Sequence, residues 1–138
     1  MLQGWCQVVR LDLKRGNIHV PSTMSRVQML GAPIGAEGAG RLAGVLGQCS
    51  SLAELDLSGN RIGDEGAGRL TGVLGQCSSL AKLDLQYNDI GADGAGRLTG
   101  VLGQCSSIAE LNLAGNGIGA DGICLLRTSI RDATQLSV

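Results

Sequence analysis

The chain has 138 residues and a formal net charge of -1, with 11 Lys and Arg against 12 Asp and Glu, so its charge favours neither nucleic acid nor an anionic membrane surface. Hydrophobic residues make up 43 % of it, yet Trp5 and Tyr87 are its only Phe, Trp or Tyr residues, which suits a thin, layered core of Leu, Ile, Val, Ala and Gly. No apolar run approaches the roughly 18 residues of a membrane span, and the opening MLQGWCQVVR lacks the basic and apolar blocks of a secretory signal.

In chain order, the first strand signal is Val8, Leu11, Leu13 and Ile18. Met24 starts the next such signal only 16 residues after Val8, too soon for a helix to intervene. Residues 1–23 are therefore either an N-terminal cap containing a strand or a damaged repeat. From residue 24 the sequence falls into windows of 28, namely 24–51, 52–79, 80–107 and 108–135, with the start of another at 136, where Leu136 takes the first leucine slot. Residues 52–79 and 80–107 match at 22 of 28 positions. The outer windows are degenerate. In the first, Met24, Val27, Met29 and Ile34 stand for Leu52, Leu55, Leu57 and Ile62; Ala32 replaces the Asn found later, beside Pro33, which implies a distorted turn.

Within each window the alternation of Leu55, Asp56, Leu57 and Ser58 predicts a short strand with leucines inward. Ala67, Leu70, Val73, Leu74 and Cys77 recur at helical spacing, so a helix covers the back of the strand. Glu37, Glu65, Asp93 and Asp121 open the helices, where a negative charge suits the helix dipole. The first three precede Arg41, Arg69 and Arg97 by four residues, the spacing of a helical ion pair. Glycine opposes this: nine interior positions, Gly68, Gly72, Gly75 and their equivalents, cost about 8 kcal/mol relative to Ala. A domain's whole stability is about 5–15 kcal/mol, so a marginally stable array is expected, partly compensated by close helix approach at these small residues. The last window is atypical, with Cys124 and Leu125 in place of Gly and Arg, as expected of a capping repeat.

The run Leu80, Leu83, Leu85, Asn88, Ile90 has the form L-x-x-L-x-L-x-x-N-x-I and resembles the leucine-rich repeat. The 28-residue period and the segment I-G-(D/A)-(E/D)-G-A-x-x-L resemble the ribonuclease-inhibitor-type repeat, also seen at the C-termini of NOD-like receptors. The resemblance covers residues 24–118. It implies an α/β leucine-rich-repeat solenoid, a horseshoe arc of about four repeats with a parallel concave sheet and convex helices. It also implies that Asn60, Asn88 and Asn116 are structural, their amides satisfying backbone groups in the turns.

The side chains projecting from the strands into the concavity are Arg26, Gln28 and Leu30; Glu54, Asp56 and Ser58; Lys82, Asp84 and Gln86; Glu110, Asn112 and Ala114. Between the two central windows four of the six differences, Glu54/Lys82, Ser58/Gln86, Gly59/Tyr87 and Arg61/Asp89, lie on the strand or its exit. Variation on the accessible face with sameness on the packed one suits a binding scaffold, although drift at exposed positions leaves the same pattern. Tyr87 stands where its neighbours carry Gly59 and Gly115 and is the best single anchor for a partner, or simply an exposed tyrosine. Glu54, Asp56, Asp84 and Glu110 outnumber Arg26 and Lys82, so a protein partner with a basic patch fits, and neither nucleic acid nor membrane does.

Other chemical signals fail on inspection. Gly38, Gly40 and Ala43 match G-x-G-x-x-A, but an acid precedes each copy and repels phosphate. The Gly40–Gly44 spacing of a membrane dimer lies in a segment that holds Arg41 and is too short to span. Cys49, Cys77 and Cys105 recur at one slot and read as small apolar side chains; with no C-x-x-C and one His, no zinc site is expected. Nothing brings His19 and Cys6 together as a nucleophile pair. Five cysteines and no Asn-x-Ser/Thr acceptor fit the cytoplasm or nucleus. The expectation is a non-catalytic protein-interaction module without cofactor or metal. Alternatives are a GTPase-activating protein of the Ran-activator type, whose functional residues do not map onto this sequence, and a truncated fragment without independent function.

Overall fold

The computed structural model describes residues 25–29, 33–47, 49, 51–105, 107–130 and 134–138. The expectations for residues 1–23, and for Leu30 and Ala32, lie outside them. Strands and helices alternate along the chain: β1 (Arg26–Gln28), α1 (Gly35–Leu46), β2 (Glu54–Asp56), α2 (Gly63–Leu74), β3 (Lys82–Asp84), α3 (Ala92–Leu102), β4 (Glu110–Asn112), α4 (Gly119–Ser129) and β5 (Gln135–Ser137). The strands form one five-stranded parallel sheet in sequence order.

The pairing follows the period of the sequence. Val27 lies opposite Leu55, Leu55 opposite Leu83 and Leu83 opposite Leu111. Each of these four is at most 2 % exposed. The helices close the other side of the core with Leu42, Leu46, Leu70, Leu74, Leu98, Leu102 and Leu126, all buried. Burying one such side chain is worth about 1.5–3 kcal/mol, and nearly every one is shared between two layers. Strands sit about 4.8 Å apart, whereas packed helices need about 8–10 Å. A stack with one of each per layer must therefore bend with its sheet inside, and the groove on the sheet face is lined by strand residues.

The helices are in contact through glycines, some of them those the helical spacing suggested: a Cβ on Gly75 would lie 3.4 Å from Val101 Cγ2 and one on Gly103 3.1 Å from the Ser129 carbonyl oxygen. A Cβ on Gly66 would lie 3.1 Å from Ala36 Cα of the previous helix and one on Gly94 3.0 Å from Asp64 Cα, whereas one on Gly122 would meet Ala92 Cα at an ordinary 3.6 Å; in all three the isoleucine of the same layer, Ile62, Ile90 or Ile118, also fills the space. Gly40 and Gly68 serve another purpose: the arginine of the following helix, Arg69 or Arg97, lies across each. Gly44, Gly72 and Gly100 face open space, so close approach does not require them.

Two helical ion pairs form as the spacing predicts, Glu37–Arg41 at 2.7 Å and Glu65–Arg69 at 2.6 Å. Among the described residues Asp93 and Arg97 form no such pair. Aspartate is one methylene shorter, and Arg97 is instead laid over Gly68. α3 also begins one residue late. Gly91 and Gly94 donate their N–H groups to Asp64 Oδ1 at 2.7 and 2.8 Å, so the previous layer caps this helix. The same slot is Ala36, Ala92 and Ala120 in the other layers, which is why only α3 is held in this way.

The fourth unit departs from the 28-residue frame. Leu136 lies opposite Leu111, at the slot of Leu55 and Leu83, and not at the first leucine slot that the frame gave it. The chain leaves α4 early because Ile130 is extended, with φ -85° and ψ 156°, where the earlier helices turn on through Gly47, Gly75 and Gly103. Thr134 Oγ1 then donates to the Ile108 carbonyl at 2.9 Å, fixing the shorter connection.

Replacing Gly44, Gly72 and Gly100 together by Ala should raise stability by about 2–3 kcal/mol, since each costs about 0.8–1 kcal/mol in a helix interior and none has a neighbour to displace. Chemical denaturation of parent and triple variant checks this, with unchanged or lower stability as the contrary result.

Candidate functional site

The side chains on either side of each buried strand leucine point away from the core and form two rows across the sheet. Arg26, Glu54, Lys82 and Glu110 stand in register in the first row, and Gln135 continues it on β5. Gln28, Asp56, Asp84 and Asn112 form the second, continued by Ser137. Ser58, Gln86 and Ala114 follow one slot beyond. The structure thus brings the sequence-nominated strand residues onto one face and adds Gln135 and Ser137 to it.

The two rows differ in electrostatics. In the first, Arg26 Nε lies 3.3 Å from Glu54 Oε2 and Lys82 Nζ 3.6 Å from Glu110 Oε1, so its charges cancel in pairs, each exposed and worth at most about 1 kcal/mol. In the second row Asp56 and Asp84 stand on adjacent strands with no cation in salt-bridge range among the described residues. Each carboxylate is held instead by amides. Ser58 and Gln86 donate their backbone N–H groups to Asp56 and Asp84, both at 3.0 Å. The side chains of Gln28 and Asn112 donate to the second oxygens at 3.1 and 3.3 Å. A count of carboxylates from sequence spreads the acidity over four residues; the pairing concentrates it on two.

At the strand exits the backbone must turn sharply, and the repeat uses a left-handed residue to do so. Gly59 and Gly115 take φ 69° and 68° there; Tyr87 fills the same slot with φ 54°. A side chain in this region costs roughly 1–2 kcal/mol. The Tyr87 ring lies against Gly115, in space that a Cβ on that residue would occupy, and the residue remains 66 % exposed. An aromatic side chain is therefore presented at the edge of the sheet face, with its position fixed by backbone and neighbour.

Below the turns run the asparagines. Asn88 Nδ2 donates to the carbonyls of Leu57, Leu85 and Gln86, and its Oδ1 accepts from the N–H groups of Asn60 and Ile62. Asn116 repeats the pattern one layer on, accepting from Asn88 and Ile90. Asn60 donates to Met29, Leu57 and Ser58, but its buried Oδ1 has no partner. In the first layer Pro33 stands at the slot where Arg61 and Asp89 take φ 51° and 57°; its ring holds φ near -65°, so that slot cannot adopt their left-handed backbone.

Cys49 and Cys77 are buried and Cys105 is partly so; all are free thiols. Burial pushes each thiol up from its ordinary range, and for Cys77 the neighbouring Cys49 and Cys105 add to the effect, which makes them poor nucleophiles. Among the described residues no group of His, Cys, Asp and Glu could hold a metal ion, and no helix is long and apolar enough to cross a membrane.

The Leucine Rich repeat family model matches residues 48–70, 76–98 and 104–124. The chain carries leucine-rich repeats, and with its single parallel sheet backed by helices it is an α/β leucine-rich-repeat solenoid. Among solved structures it is similar to leiomodin-1 actin-binding site 2, with a TM-score of 0.68 and 17 % sequence identity over 85 % of this chain and 71 % of that one. At that identity the likeness is one of fold. No curated protein matches the chain.

Replacing Asn88 by Ala should cost about 1–3 kcal/mol more than replacing Asn60, because only Asn88 leaves orphaned backbone N–H groups as well as carbonyls. Denaturation of the two variants decides the point; equal losses would mean that the Oδ1 contacts carry no weight.

Proposed function

We propose that this chain is a non-catalytic protein-interaction module that binds a protein partner on its concave sheet face. The single observation that carries the reading is the division of that face into a neutralised row and a row whose two carboxylates lack a cation, with an exposed Tyr87 at its edge. Such a face suits a partner with a basic patch: Asp56 and Asp84 supply the attraction and Tyr87 supplies apolar area at low entropic cost. It repels the phosphates of nucleic acid. The retained left-handed backbone at Tyr87 supports the same reading, since a glycine at this slot, as in the layers on either side, would remove the strain.

The period and the I-G-(D/A)-(E/D)-G-A signature support kinship with ribonuclease-inhibitor-type repeats of the kind found in NOD-like receptors. A like-folded chain that carries an actin-binding site supports the general use of this scaffold for holding proteins. The row of free thiols suits the reducing cytoplasm or nucleus.

The test is affinity capture with the parent chain, a concave variant (D56N, D84N, Y87G) and a convex control (E65A, R69A). Each Asn keeps an oxygen for the Ser58 or Gln86 N–H and gives up only the acceptor that met the partly exposed Gln28 or Asn112 amide, while Y87G relieves the strained φ, so the concave variant should melt close to the parent and yet retain about a tenth or less of the captured protein. The convex control should retain all of it. Equal capture by all three would sink the concave-face reading.

A further inference from the structure

Asn116 is followed by Gly117, and this is the one Asn–Gly step in the chain; Asn60, Asn88 and Asn112 precede Arg61, Asp89 and Leu113. In such a step the next backbone nitrogen can approach the asparagine side-chain carbon with no Cβ to crowd it. Gly117 is exposed, and its N–H makes no hydrogen bond among the described residues. A Cβ on it would meet nothing within 4 Å, and its φ is not left-handed. The side chain it would attack is restrained. Asn116 Nδ2 donates to the carbonyls of Leu85 at 2.9 Å, Leu113 at 2.8 Å and Ala114 at 3.4 Å. Its Oδ1 accepts from the N–H groups of Asn88 at 2.9 Å and Ile90 at 3.0 Å. It is also the last rung of the asparagine ladder, partly exposed where Asn60 and Asn88 are buried.

We propose that Asn116 is a deamidation site of the native chain, gated by local opening of the fourth strand-exit turn. The Gly117 nitrogen gives its proton to solvent and bonds to Asn116 Cγ; the Cγ–Nδ2 bond breaks and the nitrogen leaves, protonated, as ammonia. Water then opens the resulting cyclic imide at either carbonyl carbon, leaving aspartate or isoaspartate at this position. One water enters, one ammonia departs and nothing is oxidised or reduced. Bringing Cγ onto the Gly117 nitrogen turns the amide away from its five partners, so the ladder must open first.

The product cannot rebuild the rung. A carboxylate has no N–H to give the Leu85, Leu113 and Ala114 carbonyls, and isoaspartate adds a carbon to the main chain within the turn. That turn carries Gly115, against which the Tyr87 ring lies, and Ala114, whose carbonyl accepts the Tyr87 N–H at 2.9 Å. Modification therefore loosens the bed of the exposed aromatic, whatever that aromatic binds.

The test incubates the full chain at neutral pH and body temperature, native and in concentrated urea, and follows amide-to-acid conversion at each asparagine by peptide mass spectrometry. In the native chain Asn116 should convert about tenfold or more faster than Asn60, Asn88 or Asn112, and about tenfold or more slower than in urea. Gly117→Ala, which the open space around the residue tolerates, should slow conversion by about tenfold in both conditions with an unchanged melt. Native conversion at Asn116 no faster than at the other asparagines, or a Gly117→Ala chain that converts as fast as the parent, overturns the site. Equal native and urea rates overturn the gating.

Discussion

Each layer of this chain is one strand and one helix thick, and it has no second side on which to bury its own leucines. The neighbouring layer is the place left for them, so the apolar side chains must recur at a fixed interval and face their copies. Everything else follows from that requirement. The strands pair in parallel because successive layers run the same way, and the helices fall on one side because a crossover returns the chain to the start of the next strand. The stack curves because helices are thicker than strands. From the second layer to the fourth the asparagine recurs at each strand exit, where its amide satisfies backbone groups that the sharp turn leaves buried.

The same constraint decides where chemistry is free to vary. Slots between layers hold Leu, Ile, Val, Met, small residues or the ladder asparagine, and the outward strand positions are released from packing. On that released face the charges are not scattered. Arg26 with Glu54 and Lys82 with Glu110 cancel across adjacent strands, while Asp56 and Asp84 keep their charge and are steadied by backbone and side-chain amides. On the function proposed above, this row is the part of the face that meets the partner, and side chains already held by amides lose less freedom on binding.

Much of the fold was legible because a repeat states its own register: once residues 52–79 matched 80–107, the pairing of Leu55 with Leu83 followed. The inward leucines, the buried cysteine slot and the ladder asparagines were readable for the same reason, each being a periodic position with one physical role. What was not legible depended on contacts between different slots. The capping of α3 by Asp64 joins a side chain of one layer to the amides of the next, and the sequence window of α3 alone does not contain it. The close approach at Gly66 and the arginine laid over Gly68 could not be told apart from spacing, because both slots hold glycine. Leu136 was misplaced by counting in units of 28, since the early exit at Ile130 is a local backbone event. Of the candidate face, membership could be read from alternation; the cancellation within its first row could not, because it depends on which long side chains reach across a strand gap.

Contacts between leucine methyl groups in the folded chain in solution test the stacking most directly. With methyl-labelled leucine, Overhauser cross-peaks should join Leu55 to Leu83 and Leu83 to Leu111 in an unbroken series. A spectrum in which the Leu83 methyl groups touch neither of the other two would contradict the shared core on which the account is built.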